Sequence, residues 1–80
     1  MNRHWCRIHL IEAHEEIGRV LEQLDDNSDY DEEEYQAQVE LAYAHLNAAW
    51  NARNCTKDKA ANATEADLLK WRRFPRELLR

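Results

Sequence analysis

Hydrophobic residues recur every three or four positions in the first part of the chain. Over residues 4–24 they gather on one side of a helical wheel, which is the pattern of a helix that packs along one face. That face consists of Cys6, Leu10, Ala13, Ile17, Val20, Leu21 and Leu24. Ile8 and Ile11 lie across the helix from it, on a side that also carries Gly18. The pattern predicts a first helix over residues 4–24.

A second amphipathic segment follows the polar residues 25–30. Capping-box spacings begin at Asp29 and Asp31, and they indicate a helix that starts there and continues over residues 31–54. Its hydrophobic face is formed by Tyr35, Val39, Ala42, Leu46, Ala49 and Trp50. Because the connection is short, the two helices should form an antiparallel hairpin with both hydrophobic faces in its core.

An additional apolar stripe runs along the second helix, nearly opposite the first face. Its members are Ala37, Leu41, Ala44, Ala48 and Ala52. Either alanine simply favours helix on an exposed surface, or the stripe packs closely against another helix. A chain of this length has a small core, so burial between two copies would add stability. We therefore predict a homodimer whose interface includes this stripe together with Ile8, Ile11 and Gly18.

Polar and aromatic residues share a third side of the second helix. This polar-aromatic stripe comprises Tyr43, Asn47, Trp50, Asn51 and Asn54. Asparagine is a poor helix former, because its short amide competes for backbone hydrogen bonds. Two interpretations are open. The amides face solvent, or the amides and rings hold the C-terminal segment of the same chain or a partner.

The C-terminal quarter of the chain carries a helix-start signal. Residues 55–63 are polar and are predicted to form a linker. Thr64 and Asp67 then have the capping-box spacing, which predicts a third helix over about residues 65–73. The Phe74–Pro75 step should end this helix, because the residue before proline avoids helical geometry. One further turn can begin at the proline.

The aromatic residues of the third helix predict where it lies. Trp71 and Phe74 are three positions apart and therefore project from the same side. Exposure of both rings to water would forfeit the free energy that their burial provides. We expect this segment to dock on the hairpin, with four residues as receivers: Ile8, Ile11, Tyr43 and Trp50.

The composition favours helices throughout. The 80 residues include one glycine and one proline, and they are rich in the good helix formers Ala, Leu, Glu, Gln and Arg. A chain of this length forms one domain. We therefore predict a single all-α domain over residues 1–80, in which the hairpin and the short C-terminal helix self-associate into a dimeric helical bundle.

Charge is unevenly distributed along this acidic chain, whose net charge is −5. The segment from Glu22 to Glu34 has eight acids and no base, whereas residues 68–80 have five bases and one acid. The C-terminal bases and rings could contact a nucleic acid, but the rest of the chain would repel that polymer. We expect no nucleic-acid partner, and we expect the asymmetry to be satisfied within the protein or across a dimer.

The sequence offers no membrane or export signal. No apolar run approaches the roughly 20 residues of a transmembrane helix. His, Arg and Glu interrupt the first 16 residues, where a signal peptide would be apolar. The two cysteines do not make a disulfide framework. These features predict a cytoplasmic protein without a membrane segment.

Residues that could bind zinc are scattered rather than paired. They are His4, Cys6, His9, His14, His45 and Cys55. None forms a recognised ligand pair such as C-x2-C or H-x3-H. His9 and Glu12 are spaced to share a helix face, but in the reverse of the order found in di-iron bundles. We therefore predict no metal and no cofactor.

Clustered carboxylates provide a catalytic alternative. Glu12, Glu15 and Glu16 on the first helix, with Glu40 on the second, resemble the all-α nucleoside triphosphate pyrophosphohydrolases of the MazG type. That resemblance implies E-x-x-E and E-x-x-D motifs that hold magnesium against phosphates. Here Glu40 is followed by Tyr43 where the last carboxylate belongs. The alternative metal ligands would be Glu12, Glu15 and Glu40.

A second resemblance concerns the string H-L-N-x-A-W-N-x-R at residues 45–53. Together with Trp71-x-x-Phe74-Pro75, it resembles a segment of short uncharacterised bacterial proteins. The resemblance implies a small bacterial cytosolic helical protein and nothing about its activity. We predict a non-catalytic interaction, adaptor or regulatory protein that acts as a homo-oligomer, with another protein as a further candidate partner. A degenerate MazG-like hydrolase is the alternative.

Overall fold

Two long helices form the body of the molecule. In a computed structural model, which describes residues 1–73, α1 spans Arg3–Asp26 and α2 spans Glu32–Asn51. The five-residue connection 27–31 returns the chain, and the two helices pack against each other. Within the described residues there is no β-strand. The predicted all-α hairpin is therefore confirmed.

Asn2 begins α1 and ties it to the end of α2. Its side-chain oxygen accepts a hydrogen bond from the Trp5 backbone amide at 3.0 Å, which is N-cap geometry. Its side-chain amide donates to the Cys55 carbonyl at 3.1 Å, and its backbone amide donates to the Arg53 carbonyl at 2.6 Å. The start of α1 therefore lies beside the end of α2, as an antiparallel hairpin requires.

The acidic cap of α2 forms as the sequence predicts. The Asp31 carboxylate accepts a hydrogen bond from the Glu34 backbone amide at 2.8 Å. Acids at positions 32–34 fill the first turn, where the helix dipole favours negative charge. The helix ends at Asn51, three residues before the predicted end.

Small side chains make up most of the buried core. Ala13 and Val20 of α1 and Ala42 and Ala49 of α2 are buried. Among residues 1–73, no large side chain has less than 2% of its surface exposed. Small residues let two helices approach closely, but each contributes little apolar area. The hairpin is therefore held along a narrow line of contact.

The larger residues of the two predicted core faces stay exposed. They retain 40–56% of their accessible surface: Leu10, Ile17, Leu21, Leu24, Tyr35, Val39 and Leu46. The prediction that the hairpin core buries them was wrong. Two helices alone touch along one seam, so side chains that flank the seam are covered only when another layer packs on them.

The predicted linker contains a short helix. Within residues 55–63, α3 spans Lys57–Ala61. The Thr56 hydroxyl caps it by accepting a hydrogen bond from the Lys59 backbone amide at 3.0 Å. A helix of five residues is too short to show hydrophobic periodicity, which is why the sequence pattern missed it.

The last described helix, α4, spans Glu65–Trp71. Its capping box forms as predicted: the Thr64 hydroxyl accepts from the Asp67 backbone amide, and the Asp67 carboxylate accepts from the Thr64 backbone amide. The Lys59 ammonium lies 2.8 Å from the Asp67 carboxylate and so links α3 to α4. Phe74 and the predicted turn after Pro75 lie outside the described residues.

The ion pair at the start of α4 makes the fold sensitive to acid. The Lys59 ammonium, with the Thr64 backbone amide, lowers the pKa of Asp67 from 3.8 to about 2. Because the folded pKa is the lower one, the Asp67 carboxylate stabilises the fold above pH 3.8, and this contribution disappears as the pH falls towards 2. We expect Asp67→Asn to lower the melting temperature at pH 6 and to make no difference near pH 2. Circular dichroism melts of both chains over this range test the expectation, and a difference that does not change with pH would contradict it.

Candidate functional site

An open apolar groove runs between α1 and α2. It is lined by Ile17, Val20, Leu21, Leu24, Tyr35, Val39, Ala42, Tyr43 and Leu46. Apart from Val20 and Ala42, which form its buried floor, the lining residues are exposed. Soluble monomers rarely expose a contiguous apolar patch larger than a few hundred Å². The groove is apolar, but neither helix that lines it has the length and hydropathy to cross a membrane. The same holds for the other helices in residues 1–73. The groove is a candidate surface for binding another protein.

The predicted alanine stripe of α2 is divided in the structure. Ala37 and Leu41 are exposed and Ala44 is half-buried, whereas Ala48 and Ala52 are buried. The last two form a small core cluster with Trp71 of α4. Within one chain, α4 therefore covers the C-terminal part of the stripe and leaves its N-terminal part open.

The remaining residues of the predicted interface lie on α1. Ile8 is half-buried and Ile11 is exposed. Gly18 is half-buried, and a Cβ atom built on it would meet nothing within 4 Å. Within residues 1–73, no close approach therefore requires a glycine at this position.

Two asparagines of the polar-aromatic stripe, Asn47 and Asn51, hold α4. Asn47 donates its side-chain amide to the Arg72 carbonyl at 2.9 Å, and it is only 5% exposed. The Asn51 amide lies 2.6 Å from both the Trp71 and Arg73 carbonyls. Carbonyls at the end of a helix have no partner within that helix. Side chains of α2 thus satisfy the C-terminal carbonyls of α4, as in the second interpretation of the stripe.

Trp71 is the hydrophobic anchor of α4. Its side chain is 7% exposed and packs on Ala48 and Ala52. The Trp5 ring meets it edge-to-face, with 5.8 Å between ring centroids. Docking of the C-terminal segment through Trp71 is therefore as predicted, but sequence reasoning missed Trp5.

The four predicted receivers of that segment are not part of the cluster around Trp71. Ile8, Ile11, Tyr43 and Trp50 lie outside it. Trp50 is half-buried, and the Arg53 guanidinium stacks over its ring at 3.8 Å. The small residues Ala48 and Ala52 offer a flat surface for an indole ring, and they were the sequence signal for the true receiving site.

A cluster of three polar side chains lies where α1 packs on α2. The Nδ1 atoms of His9 and His45 are 3.3 Å apart, and His45 Nδ1 is 3.0 Å from Glu12 Oε2. One possible ligand atom from each of the three residues lies within 4.8 Å of the others. His9 is 8% exposed, and its Nε2 atom is buried without a hydrogen-bond partner. We call these residues the His–Glu cluster.

The environment of the cluster favours the neutral form of His9. Burial lowers the pKa of His9, and the adjacent His45 ring lowers it further, while Glu12 acts in the opposite direction. A neutral imidazole has a lone pair on one ring nitrogen, which is the form that binds a metal ion. Sequence analysis noted the spacing of His9 and Glu12 but not their encounter with His45.

The carboxylates of the MazG-like alternative are engaged separately. Glu12 contacts His45, Glu15 lies 3.9 Å from Arg19, and Glu40 accepts a hydrogen bond from Gln36 at 3.2 Å. In the part of the chain that the structure describes, the His–Glu cluster is the only group of three or more His, Cys, Asp or Glu residues arranged to hold a metal ion. The three glutamates therefore do not converge there on a magnesium site.

Comparison of this chain with protein-family models, curated proteins and solved structures gives no match. The two resemblances drawn from sequence strings therefore stay predictions. The apolar groove and the His–Glu cluster are two features of residues 1–73 that the packing of the fold does not account for.

Proposed function

We propose that this protein is a small cytoplasmic interaction module that acts as a homodimer through the apolar groove. The observation that carries the proposal is the row of large hydrophobic side chains left exposed along both walls of the groove. In a dimer, the groove of one copy would be covered by the groove of the other. Two hairpins joined in this way form a four-helix bundle, in which each hairpin supplies the missing layer for its partner.

The exposed apolar surface of the groove suits a second copy of this chain as the partner. Seven of its lining residues are 40–56% exposed: Ile17, Leu21, Leu24, Tyr35, Val39, Tyr43 and Leu46. A stable interface of standard size buries about 800 Å² per partner. These side chains would form the apolar centre of such an interface, and polar residues at the rim of the groove would surround it.

The composition of the buried core also favours a second copy. Five of its seven hydrophobic residues are alanines: Ala13, Ala42, Ala48, Ala49 and Ala52. Such a core gains little free energy from burial, and a chain below about 80 residues needs additional stabilisation. A second copy is always present at the concentration of the first, so self-association provides that stabilisation without another gene product.

Charge sets the orientation of the proposed dimer. The eight acids between Glu22 and Glu34 lie around the helix connection. A two-fold axis that aligned the hairpins in parallel would bring both acidic ends together, where like charges repel. The antiparallel arrangement keeps the two ends on opposite sides of the bundle, and we infer that arrangement.

Sedimentation equilibrium at tens of micromolar protein tests the proposal. We expect wild type to sediment at twice the chain mass of 9.6 kDa. We expect Leu21→Glu to raise the dissociation constant at least about 100-fold, because two-fold symmetry places the unpaired charge in the interface twice. Leu21 is 56% exposed in the single chain, so this substitution should leave the hairpin folded.

The matched control is Leu41→Glu. Leu41 is 44% exposed on another face of α2 and is not part of the groove. This variant should remain dimeric. Dissociation by Leu41→Glu instead would move the interface to the alanine stripe. A wild-type chain that stays monomeric at high micromolar concentration would contradict homodimerisation and leave the groove to a different protein.

A further inference from the structure

The His–Glu cluster has the spacing of metal ligands. His9 and Glu12 lie one turn apart on α1, and His45 meets them from α2. The closest donor pairs are 3.3 Å apart for the two Nδ1 atoms and 3.0 Å apart for His45 Nδ1 and Glu12 Oε2. Ligand atoms bound to zinc at about 2.0–2.2 Å in a tetrahedral shell are about 3.3–3.6 Å apart. Both pairs match the edge of such a shell to within a few tenths of an ångström. The third pair, His9 and Glu12, lies within 4.8 Å, so the half-exposed Glu12 side chain would move towards His9 to complete the shell.

Without a metal ion, the hydrogen bonding of the His–Glu cluster is incomplete in each arrangement of the protons. Each neutral imidazole carries one N–H, and the two Nδ1 atoms face each other. If the proton is on His9 Nδ1, His45 directs a lone pair at the Glu12 carboxylate. If the proton is on His45 Nδ1, the proton of His9 is on Nε2, which is buried without an acceptor. The first arrangement leaves two acceptors facing each other, which a cation between them would relieve. The second pairs both Nδ1 atoms and leaves only the Nε2 proton without a partner, whereas buried polar atoms are normally paired.

We propose that His9 Nδ1, His45 Nδ1 and Glu12 Oε2 bind a divalent transition-metal ion of the zinc type. A cation at the centre of the cluster would accept one lone pair from each of the three residues. The His9 proton would then lie on Nε2, as in the second of the two arrangements above, and the Trp5 ring packs edge-to-face on His9 with 4.6 Å between centroids. Because the Glu12 side chain is half-exposed, a water molecule can complete a tetrahedral shell from the solvent side.

The donor set selects the class of ion. Two imidazole nitrogens and one carboxylate oxygen suit zinc, cobalt or copper, whereas magnesium and calcium prefer shells made of oxygen atoms. The ligands come from both long helices, so the ion would cross-link α1 to α2. It would therefore stabilise the folded hairpin over the unfolded chain, in which the three ligands are not assembled.

Metal titration of the chelator-treated full-length chain tests the proposal. We expect calorimetry with zinc chloride to show one ion per chain, and cobalt to give the intense visible absorption of a tetrahedral site. Zinc should also raise the melting temperature. Glu12→Gln should weaken zinc affinity at least about tenfold and reduce the thermal shift, because it removes the charged ligand.

Exposed histidines provide the matched controls. His4→Gln and His14→Gln remove imidazoles on α1 that do not belong to the cluster, and both variants should bind zinc like wild type. Loss of binding in either control, equal affinity in Glu12→Gln and wild type, or no uptake at micromolar zinc would each overturn the proposal. A melting temperature that rises with magnesium but not with zinc would also overturn it. Should variants at the buried His9 fail to fold, Glu12→Gln still decides, because its side chain is half-exposed.

Discussion

Replacement of Trp71 by alanine should remove most of the stability of the fold. The side chain is 7% exposed, and among residues 1–73 it is the one large member of the buried cluster that joins α4 to α2. Truncation of a buried tryptophan costs about 3–5 kcal/mol, while a small domain has only about 5–15 kcal/mol in total. Urea denaturation followed by circular dichroism, at one fixed protein concentration, measures the loss without relying on tryptophan fluorescence.

Trp50→Ala is the control for that experiment. Trp50 is also a tryptophan, but it lies on α2 and is half-buried, and the guanidinium of Arg53 covers part of its ring. Its truncation removes less buried area, so we expect a smaller loss of unfolding free energy than for Trp71→Ala. The hydrophobic pattern of α2 places Trp50 on the core face and therefore predicts a larger loss for Trp50→Ala than the structure does. If Trp50→Ala proved the more damaging change, the packing of α4 described above would be incorrect.

The second large effect is expected from Asn47→Asp. The substitution keeps the shape of the side chain but replaces the amide that donates to the Arg72 carbonyl with a carboxylate. The new charge would be buried at a position that is 5% exposed, with its oxygen against another oxygen. We expect a loss of about 2–4 kcal/mol in unfolding free energy at pH 7. Chemical denaturation of the variant and wild type measures it.

Acid should partly restore this variant. Burial raises the pKa of a carboxyl group, and the protonated form can again donate a hydrogen bond to the carbonyl. The deficit relative to wild type should therefore be smaller at pH 4 than at pH 7. Asn54→Asp adds the same charge at an exposed position of the stripe and should change stability little. If both variants lost the same unfolding free energy, the cause would be the added net charge rather than the loss of the hydrogen bond to α4.

Periodicity predicted the helices well but could not say what covers them. The spacing of Tyr35, Val39 and Leu46 places these side chains on one face of α2, and that much was predictable. Whether the face packs on α1, on a second chain or on nothing depends on how many layers the fold has. Two helices supply only one seam, so those residues remain exposed.

The His–Glu cluster shows a different limit of sequence reasoning. The sharing of one face by His9 and Glu12 follows from their spacing on a helix. The third member, His45, joins them only through the register of α2 against α1, and many small tertiary contacts set that register. Trp5 was missed for a similar reason, because it lies outside the periodic hydrophobic face of α1 and is covered by a helix that comes 60 residues later.

α2 packs against both α1 and α4, and the lengths of chain that these two contacts enclose predict an order of folding. α1 and α2 meet through a five-residue connection, so their association closes a short loop. α4 has seven residues, which is too few to be stable as an isolated helix, and its bond to Asn47 spans 25 residues. The hairpin should therefore form first and α4 last. Under native conditions the reverse step is local: α4 can detach and unwind while the hairpin persists, and each such opening uncovers Trp5 beside the His–Glu cluster.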